Sequence, residues 1–282
     1  MAAHYTPRRI ASLQPSATAI LQDLGKTECL AACTRYCTDL YPELRDGKRA
    51  IISDSWTAKV DEILAVKPDL VIASVPYQEK SFAEILKAGV PLLALSPRTL
   101  TDIYKDIAMI AGIVGVAERG EQIIENMRRE VDSVRSKTHN LSPPRVFCEE
   151  WGKPLIASQQ WVAELVEAAG GEFLGTPGMK TSIEEVRAAK PDIVIAAWCG
   201  AGDRVPLEKI VRDRGWEQTP FTEQGRVYCI NDEYLNTPAP PLLQGLHALA
   251  AAIHPEVFPT STGLRRIKKE PIHPPKLQIA NI

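Results

Sequence analysis

Two α/β lobes, each a mostly parallel sheet covered by helices, joined by a single long α-helix: three features of this sequence predict that architecture. The first is an internal echo. Residues 60–73, Val-Asp-Glu-Ile-Leu-Ala-Val-Lys-Pro-Asp-Leu-Val-Ile-Ala, return at 183–196 as Ile-Glu-Glu-Val-Arg-Ala-Ala-Lys-Pro-Asp-Ile-Val-Ile-Ala. Glu62/Glu185, Ala65/Ala188, Lys67/Lys190, Pro68/Pro191, Asp69/Asp192 and the strand residues after them match in register, so one helix-turn-strand unit has been used twice. In each copy proline cannot continue the helix and aspartate favours the turn, so the same local grammar closes a helix and opens a buried strand. The second feature is the alternation of strand and helix signals on both sides of the chain's midpoint, the mark of a parallel sheet with covered faces. The third is one uninterrupted amphipathic stretch between the two halves.

In chain order, 9–13 is strand-like, and Gln14-Pro15-Ser16 opens a helix that Gly25 stops. Further strands are predicted at 30–33, 50–52, 70–74 and 92–95, and helices at 59–66 and 80–88. From Thr101 the pattern is helical. After Gly115, residues 117–138 keep Ile123, Ile124, Met127, Val131 and Val134 on one side and charged residues on the other. At 1.5 Å per residue this helix spans about 30 Å, enough to pass between lobes. The second lobe follows Pro143-Pro144, with strands at 145–149, 193–197 and 227–230 and helices at 161–169, 182–189, 207–213 and 242–252. The expected units are thus a first lobe at 8–116, a connector at 117–139, a second lobe at 144–259 and a flexible basic tail at 260–282 containing Arg265, Arg266, Lys268, Lys269 and Lys276.

The 282 residues suit two lobes, and 45% hydrophobic with 24% charged residues is ordinary for a folded domain. A formal charge of −2 offers no basic excess for nucleic acid. No apolar run reaches the roughly 20 residues that cross a bilayer, and a monomer is expected. The amino terminus enters the first strand without an apolar signal segment, so the sequence as it stands predicts a cytoplasmic protein, and a periplasmic one if an export signal has been removed. Six cysteines without ribbon or scaffold spacing fit a reduced chain.

In parallel α/β sheets ligands meet the carboxyl ends of the strands. That rule selects Tyr36, Cys37, Trp56, Tyr77, Trp151, Trp198 and Tyr234 as candidate ligand-binding residues. Broad aromatic side chains with polar edges suit a large, flat, partly apolar ligand held between lobes; Trp161, at helical spacing from Leu165, is assigned to the core. No nucleophile elbow, phosphate loop, zinc-protease motif or dinucleotide glycine fingerprint is present, and His4, His139, His247, His254 and His273 lie away from the strand exits. No catalytic residues, cofactor or metal site are therefore expected. The only candidates for a soft metal site are Cys37, Glu149, Glu150 and Cys199.

The run Arg9-Ile-Ala-Ser-Leu-Gln-Pro-Ser-Ala-Thr18, the segment Cys33-Thr-Arg-Tyr-Cys-Thr-Asp-Leu-Tyr-Pro42 and both Lys-Pro-Asp strands resemble the periplasmic substrate-binding proteins of ABC importers for cobalamin and ferric siderophores. Residues 160–171 and 225–256 are similar, more narrowly, to the cobalamin-binding branch, and the resemblance runs unbroken over about 8–259. It implies two Rossmann-like lobes on a rigid helix, a corrinoid, haem or siderophore ligand clasped between them, with cobalamin or a related corrinoid first among these, and an ABC permease as partner. It also implies docking through one acidic residue on each lobe, for which Glu79 and Glu208 are the matching candidates. This chain departs from the branch at Gln160, where a histidine is common, at Arg35-Tyr36-Cys37-Thr38-Asp39, and at Pro238-Ala239-Pro240-Pro241. A cytosolic metal- or tetrapyrrole-handling protein, or an enzyme using Glu149 or Glu150 with Cys37 and Cys199, is the alternative on the same frame.

Overall fold

A computed structural model describes residues 6–76, 78–259 and 261–268. The first lobe holds strands β1 (Ile10–Ser12), β2 (Leu30–Thr34), β3 (Ala50–Ile52), β4 (Leu70–Ser74) and β5 (Leu92–Leu95). Its helices are α1 (Pro15–Asp23), α2 (Arg35–Leu40), α3 (Val60–Ala65), α4 (Glu79–Lys87) and α5 (Leu100–Ile113). The strands form an all-parallel sheet in the order β3-β2-β1-β4-β5. The order reverses between β1 and β4, so their carboxyl ends open a crevice.

After α6 (Ala117–Thr138), the second lobe holds β6 (Arg145–Gly152), β7 (Leu155–Ala157), β8 (Glu172–Phe173), β9 (Ile193–Ala196), β10 (Val227–Ile230) and β11 (Leu264–Arg266). Its helices are α7 (Gln160–Ala168), α8 (Ile183–Ala188), α9 (Leu207–Asp213), α10 (Pro220–Glu223) and α11 (Leu242–Ile253). The order is β11-β10-β9-β6-β7, with β8 also on β6; β7 and β11 are antiparallel and the others parallel. Among the described residues no helix is long and apolar enough to cross a membrane.

The repeated unit builds the same corner twice. Lys67 and Lys190 each follow a helix C-cap in the left-handed conformation, φ 47° and 48°, a position glycine usually fills. Asp69 and Asp192 then turn back to the residue that opens the lobe's central strand. Asp69 accepts from the Arg8 and Arg9 amides at 2.8 and 2.9 Å, and Asp192 from the Arg145 amide at 2.7 Å. The arginines complete the corner: Arg9 donates to the Val66 and Lys67 carbonyls and Arg145 to that of Lys190, satisfying acceptors the helix end leaves free.

Helix α6 joins the lobes by packing rather than merely by reach. Its 22 residues bury Ile124, Met127, Val131 and Val134, each such burial contributing about 1.5–3 kcal/mol. It lies against α5 of the first lobe and α7 and α11 of the second. One apolar core consequently runs from Ile10, Leu21 and Ile103 through this helix to Val146, Leu165 and Leu246. Smaller cores fill the outer faces, around Ile63 and Phe82 in the first lobe and Val211 and Trp216 in the second. The α5–α6 approach is close enough that a Cβ on Gly120 would sit 2.4 Å from that of Ala111. A further tie crosses the lobes where Glu164 of α7 accepts the Leu100 amide at 2.8 Å, capping the first turn of α5.

The carboxyl end differs from a flexible basic tail. Leu264–Arg266 pairs antiparallel with β10, and its arginines are consumed by carbonyls: Arg265 donates to Asp203 and Val205, Arg266 to Gln224 and Gly225. The second sheet therefore extends beyond residue 259; residues from 269 on, Lys269 and Lys276 included, lie outside the described ones.

Gly120→Ala should force α5 and α6 apart and lower stability by about 1–3 kcal/mol, read as a shift of the denaturant midpoint. Asp106 is buried on α5, and burial, with Asp102 nearby, pushes its carboxyl up to about 7. A carboxyl raised on folding binds more protons in the native state, so its contribution makes stability fall as pH rises from about 4 through 7. Asp106→Asn should flatten that fall; an unchanged slope in urea melts across this window would show that Asp106 is not its source.

Candidate functional site

The strand exits of both lobes face one cleft of about 770 Å³. On the first-lobe side the Gln14 side chain bridges the switch point by donating to the Ser74 carbonyl at 3.3 Å, and α1 starts beside it. Helix α2 supplies Tyr36, Thr38 and Asp39, and the following turn Arg45. This short helix exists because Thr34 caps it, its hydroxyl accepting the Cys37 amide at 3.3 Å. The sequence predicts only a loop there, although a Thr before Arg-Tyr-Cys is a legible cap. Arg45 is fastened to Asp39 at 2.7 Å.

On the second-lobe side, β6 carries Trp151 one residue before its end at Gly152, and the indole N–H donates to the Lys153 carbonyl at 2.8 Å. The loop after β9 contributes Cys199, Gly200, Gly202, Asp203 and Arg204. That loop is shaped by Asp232, a buried carboxylate accepting the Gly200 and Gly202 amides, both at 2.7 Å. Gly200 and Gly202 have φ of 76° and 60°, a region a side chain rarely enters. Asn236 steadies the same loop, donating to the Ala197 carbonyl at 2.8 Å and the Cys199 sulfur at 3.3 Å. The cleft lining thus combines the apolar surfaces of Pro15, Pro97, Trp151 and Trp161 with polar and charged side chains from both lobes, among them Thr38, Asp39, Arg204 and Asn236.

The candidates chosen from the sequence divide. Tyr36 and Trp151 line the cleft; the Tyr36 hydroxyl accepts from Arg35 at 2.8 Å, with that guanidinium 4.6 Å from the ring centre. Trp161 is a core residue as its helical spacing predicts, 7% exposed within the shared core and donating to the Leu235 carbonyl at 2.8 Å, and it also borders the cleft. Cys37 is not on the wall, since the inner face of α2 is buried and the thiol meets the Thr18 and Thr34 hydroxyls at 3.1 and 3.2 Å. Trp56 is 62% exposed on a turn held by Asp54, outside the lining. Trp198 turns away from the cleft onto Gly152 and donates to Glu149 at 2.8 Å. Tyr234 packs its ring toward Gly263 and the shared core. Tyr77 lies outside the described residues.

The metal candidates do not converge. Glu149 is spent on Arg214 at 2.6 Å, Cys37 belongs to the other lobe's interior, and among the described residues no group of three His, Cys, Asp or Glu side chains is placed to hold an ion. Glu150 accepts from Gln159 at 2.6 Å, and burial, only partly opposed by that hydrogen bond, pushes its carboxyl up to about 7. Glu79 is exposed in the first turn of α4, and Glu208 lies in the first turn of α9, where it accepts the Lys268 amide at 3.1 Å. The two helices follow the repeated strands β4 and β9, so the residues hold related positions in the two lobes.

A vitamin B12-binding protein of Vibrio parahaemolyticus is 26% identical over 249 residues, covering 84% of this chain and 86% of its own length. An ABC transporter substrate-binding lipoprotein of Bacillus subtilis is 23% identical over 265 residues, 89% of this chain and 82% of the relative. Among solved structures, a periplasmic haem-binding protein of Pseudomonas aeruginosa superposes with a TM-score of 0.83 at 21% identity, covering 94% of this chain and 99% of that one. The family model described as periplasmic binding protein matches residues 10–234. With its two lobes, its helix and its cleft at paired switch points, the chain belongs to the periplasmic binding protein family.

Proposed function

We propose that this protein captures a corrinoid, a cobalamin-like metal-chelate macrocycle, between its lobes and delivers it to an ABC permease. The observation that carries this is the cleft itself: about 770 Å³, lined by Trp151, Trp161 and several prolines together with polar groups of both lobes. Pockets of this size that combine flat apolar walls with a few fixed polar groups suit a large planar ligand. The relative that binds vitamin B12 supports the choice of ligand, and the family supports transport. Binding on the outer side of the membrane is part of the proposal, in line with the periplasmic and lipoprotein relatives. Glu79 and Glu208 are the proposed docking residues, one per lobe.

Haem is the second reading, favoured by Tyr36, whose oxygen stands on the wall beside Arg35. The charges of the lining weigh against it. Haem carries two carboxylates, whereas the lining holds Asp39, Asp203, Asp232 and Glu233 against Arg45 and Arg204, and Arg45 is already paired with Asp39. A corrinoid instead surrounds its ring with neutral amides, which donate to acidic acceptors, and a cobalamin adds one phosphodiester charge against the two carboxylates of haem.

Titration with cyanocobalamin, dicyanocobinamide and hemin, followed by visible spectra and thermal melts, tests the proposal. A corrinoid at 100 times its Kd should add about 2.7 kcal/mol of stability, and hemin should bind more weakly. Failure of both corrinoids to bind, or tighter binding of hemin, would contradict it. Trp151→Ala should weaken corrinoid binding by about tenfold, the loss of one aromatic stacking contact, while leaving the melting temperature nearly unchanged because this side chain is 43% exposed.

A further inference from the structure

Behind the second-lobe wall lies a buried charged assembly that makes no contact with the cleft. The Glu149 side chain is 0% exposed and that of Arg214, which caps α9, is 7% exposed. The guanidinium grips both carboxylate oxygens, with N–O distances of 2.6 and 3.2 Å, and the Trp198 indole N–H donates to one of them at 2.8 Å. Arg214 is itself fixed, its guanidinium 4.8 Å from the Trp216 ring centre, and Trp216 meets Phe221 edge-on at 5.5 Å. The Trp198 ring covers Gly152 so closely that a Cβ there would fall 2.4 Å from it.

These contacts surround the strand tip that faces the ligand. Glu149 and Gly152 bracket Trp151 on β6, and Cys199, next to Trp198, donates its amide to the Glu150 carbonyl at 3.1 Å. A buried ion pair is not in itself a source of stability, because desolvation offsets much of the attraction. It does impose a specific geometry, since a fork and a carboxylate pair in few ways. We propose that Arg214 is a positioning residue for ligand capture: through Glu149 and Trp198 it fixes the β6 tip and the 199–202 loop, and so the angle at which Trp151 meets the ligand. This rests on the cleft being the ligand site.

Two variants loosen the brace. Trp198→Phe deletes the indole donor to Glu149 together with part of the ring that covers Gly152, and Glu149→Leu/Arg214→Met replaces the ion pair with apolar side chains of similar size. Cys199 is the one exposed cysteine among the described residues, the other five being buried, so its labelling by a thiol reagent in the ligand-free protein reports how firmly the 199–202 loop is held. In Trp198→Phe, labelling should quicken severalfold, and the Kd for cyanocobalamin should rise by about tenfold, the equivalent of one lost hydrogen bond, while the protein still unfolds in a single cooperative transition at a lowered melting temperature. The double variant, where it folds, should show the same pair of changes. Unchanged labelling in folded Trp198→Phe would overturn the proposal whatever the ligand is, as would faster labelling with unchanged affinity. If the parent protein binds neither cyanocobalamin nor dicyanocobinamide, it is the corrinoid assignment that fails, and the labelling rate alone still decides whether the brace holds the loop.

Discussion

The packing of α6 between the lobes is the constraint on which the rest of the structure depends. Had this helix only bridged the halves, each lobe would need its own closed core, and the angle between them would be set by a flexible joint. Instead Ile124, Met127, Val131 and Val134 belong to an apolar core that both sheets share. Turning one lobe against the other would expose that core to water, at a cost that scales with the apolar area uncovered. The Glu164 cap on α5 adds a polar tie at the same joint. The cleft is therefore built before any ligand arrives, with little ordering entropy left to oppose binding.

Given fixed lobes, the position of the cleft follows from topology. Each sheet has a central first strand, β1 or β6, flanked by a repeated strand, β4 or β9, and the carboxyl ends of both pairs open toward the same space. The repeated Lys-Pro-Asp corner stands at the opposite ends of these strands. There Asp69 and Asp192 pin the start of the central strand, so the duplication that makes the fold recognisable contributes nothing directly to the site. Function lies in what differs between the halves: α2 with its Thr34 cap in one, and the Asp232-held glycine loop in the other.

Much of this frame was legible because it rests on local signals. The period of the apolar stripe marked α6 over 117–138, and proline and aspartate marked both repeated corners. The site was less legible because an aromatic residue at a strand exit has two directions to choose from, and the choice is made by distant residues. Trp198 faces inward because Gly152 leaves room for its ring and because Arg214 and Glu149, 65 residues apart, place a carboxylate at its indole nitrogen. Tyr36 faces the cleft while Cys37 is sealed because α2 turns one side to the core, and a segment read as loop has no sides. Arg265 and Arg266 read as tail charge, yet carbonyls 41 to 62 residues away occupy them.

Hydrogen exchange along α6 tests the shared core most directly. If the lobes are joined through this helix, the amides of residues 124–134 exchange only through global unfolding and match β1 and β6 in protection. Faster exchange of α6 than of either sheet, with its amides opening locally while the lobes stay folded, would contradict a single core and the preformed cleft that follows from it.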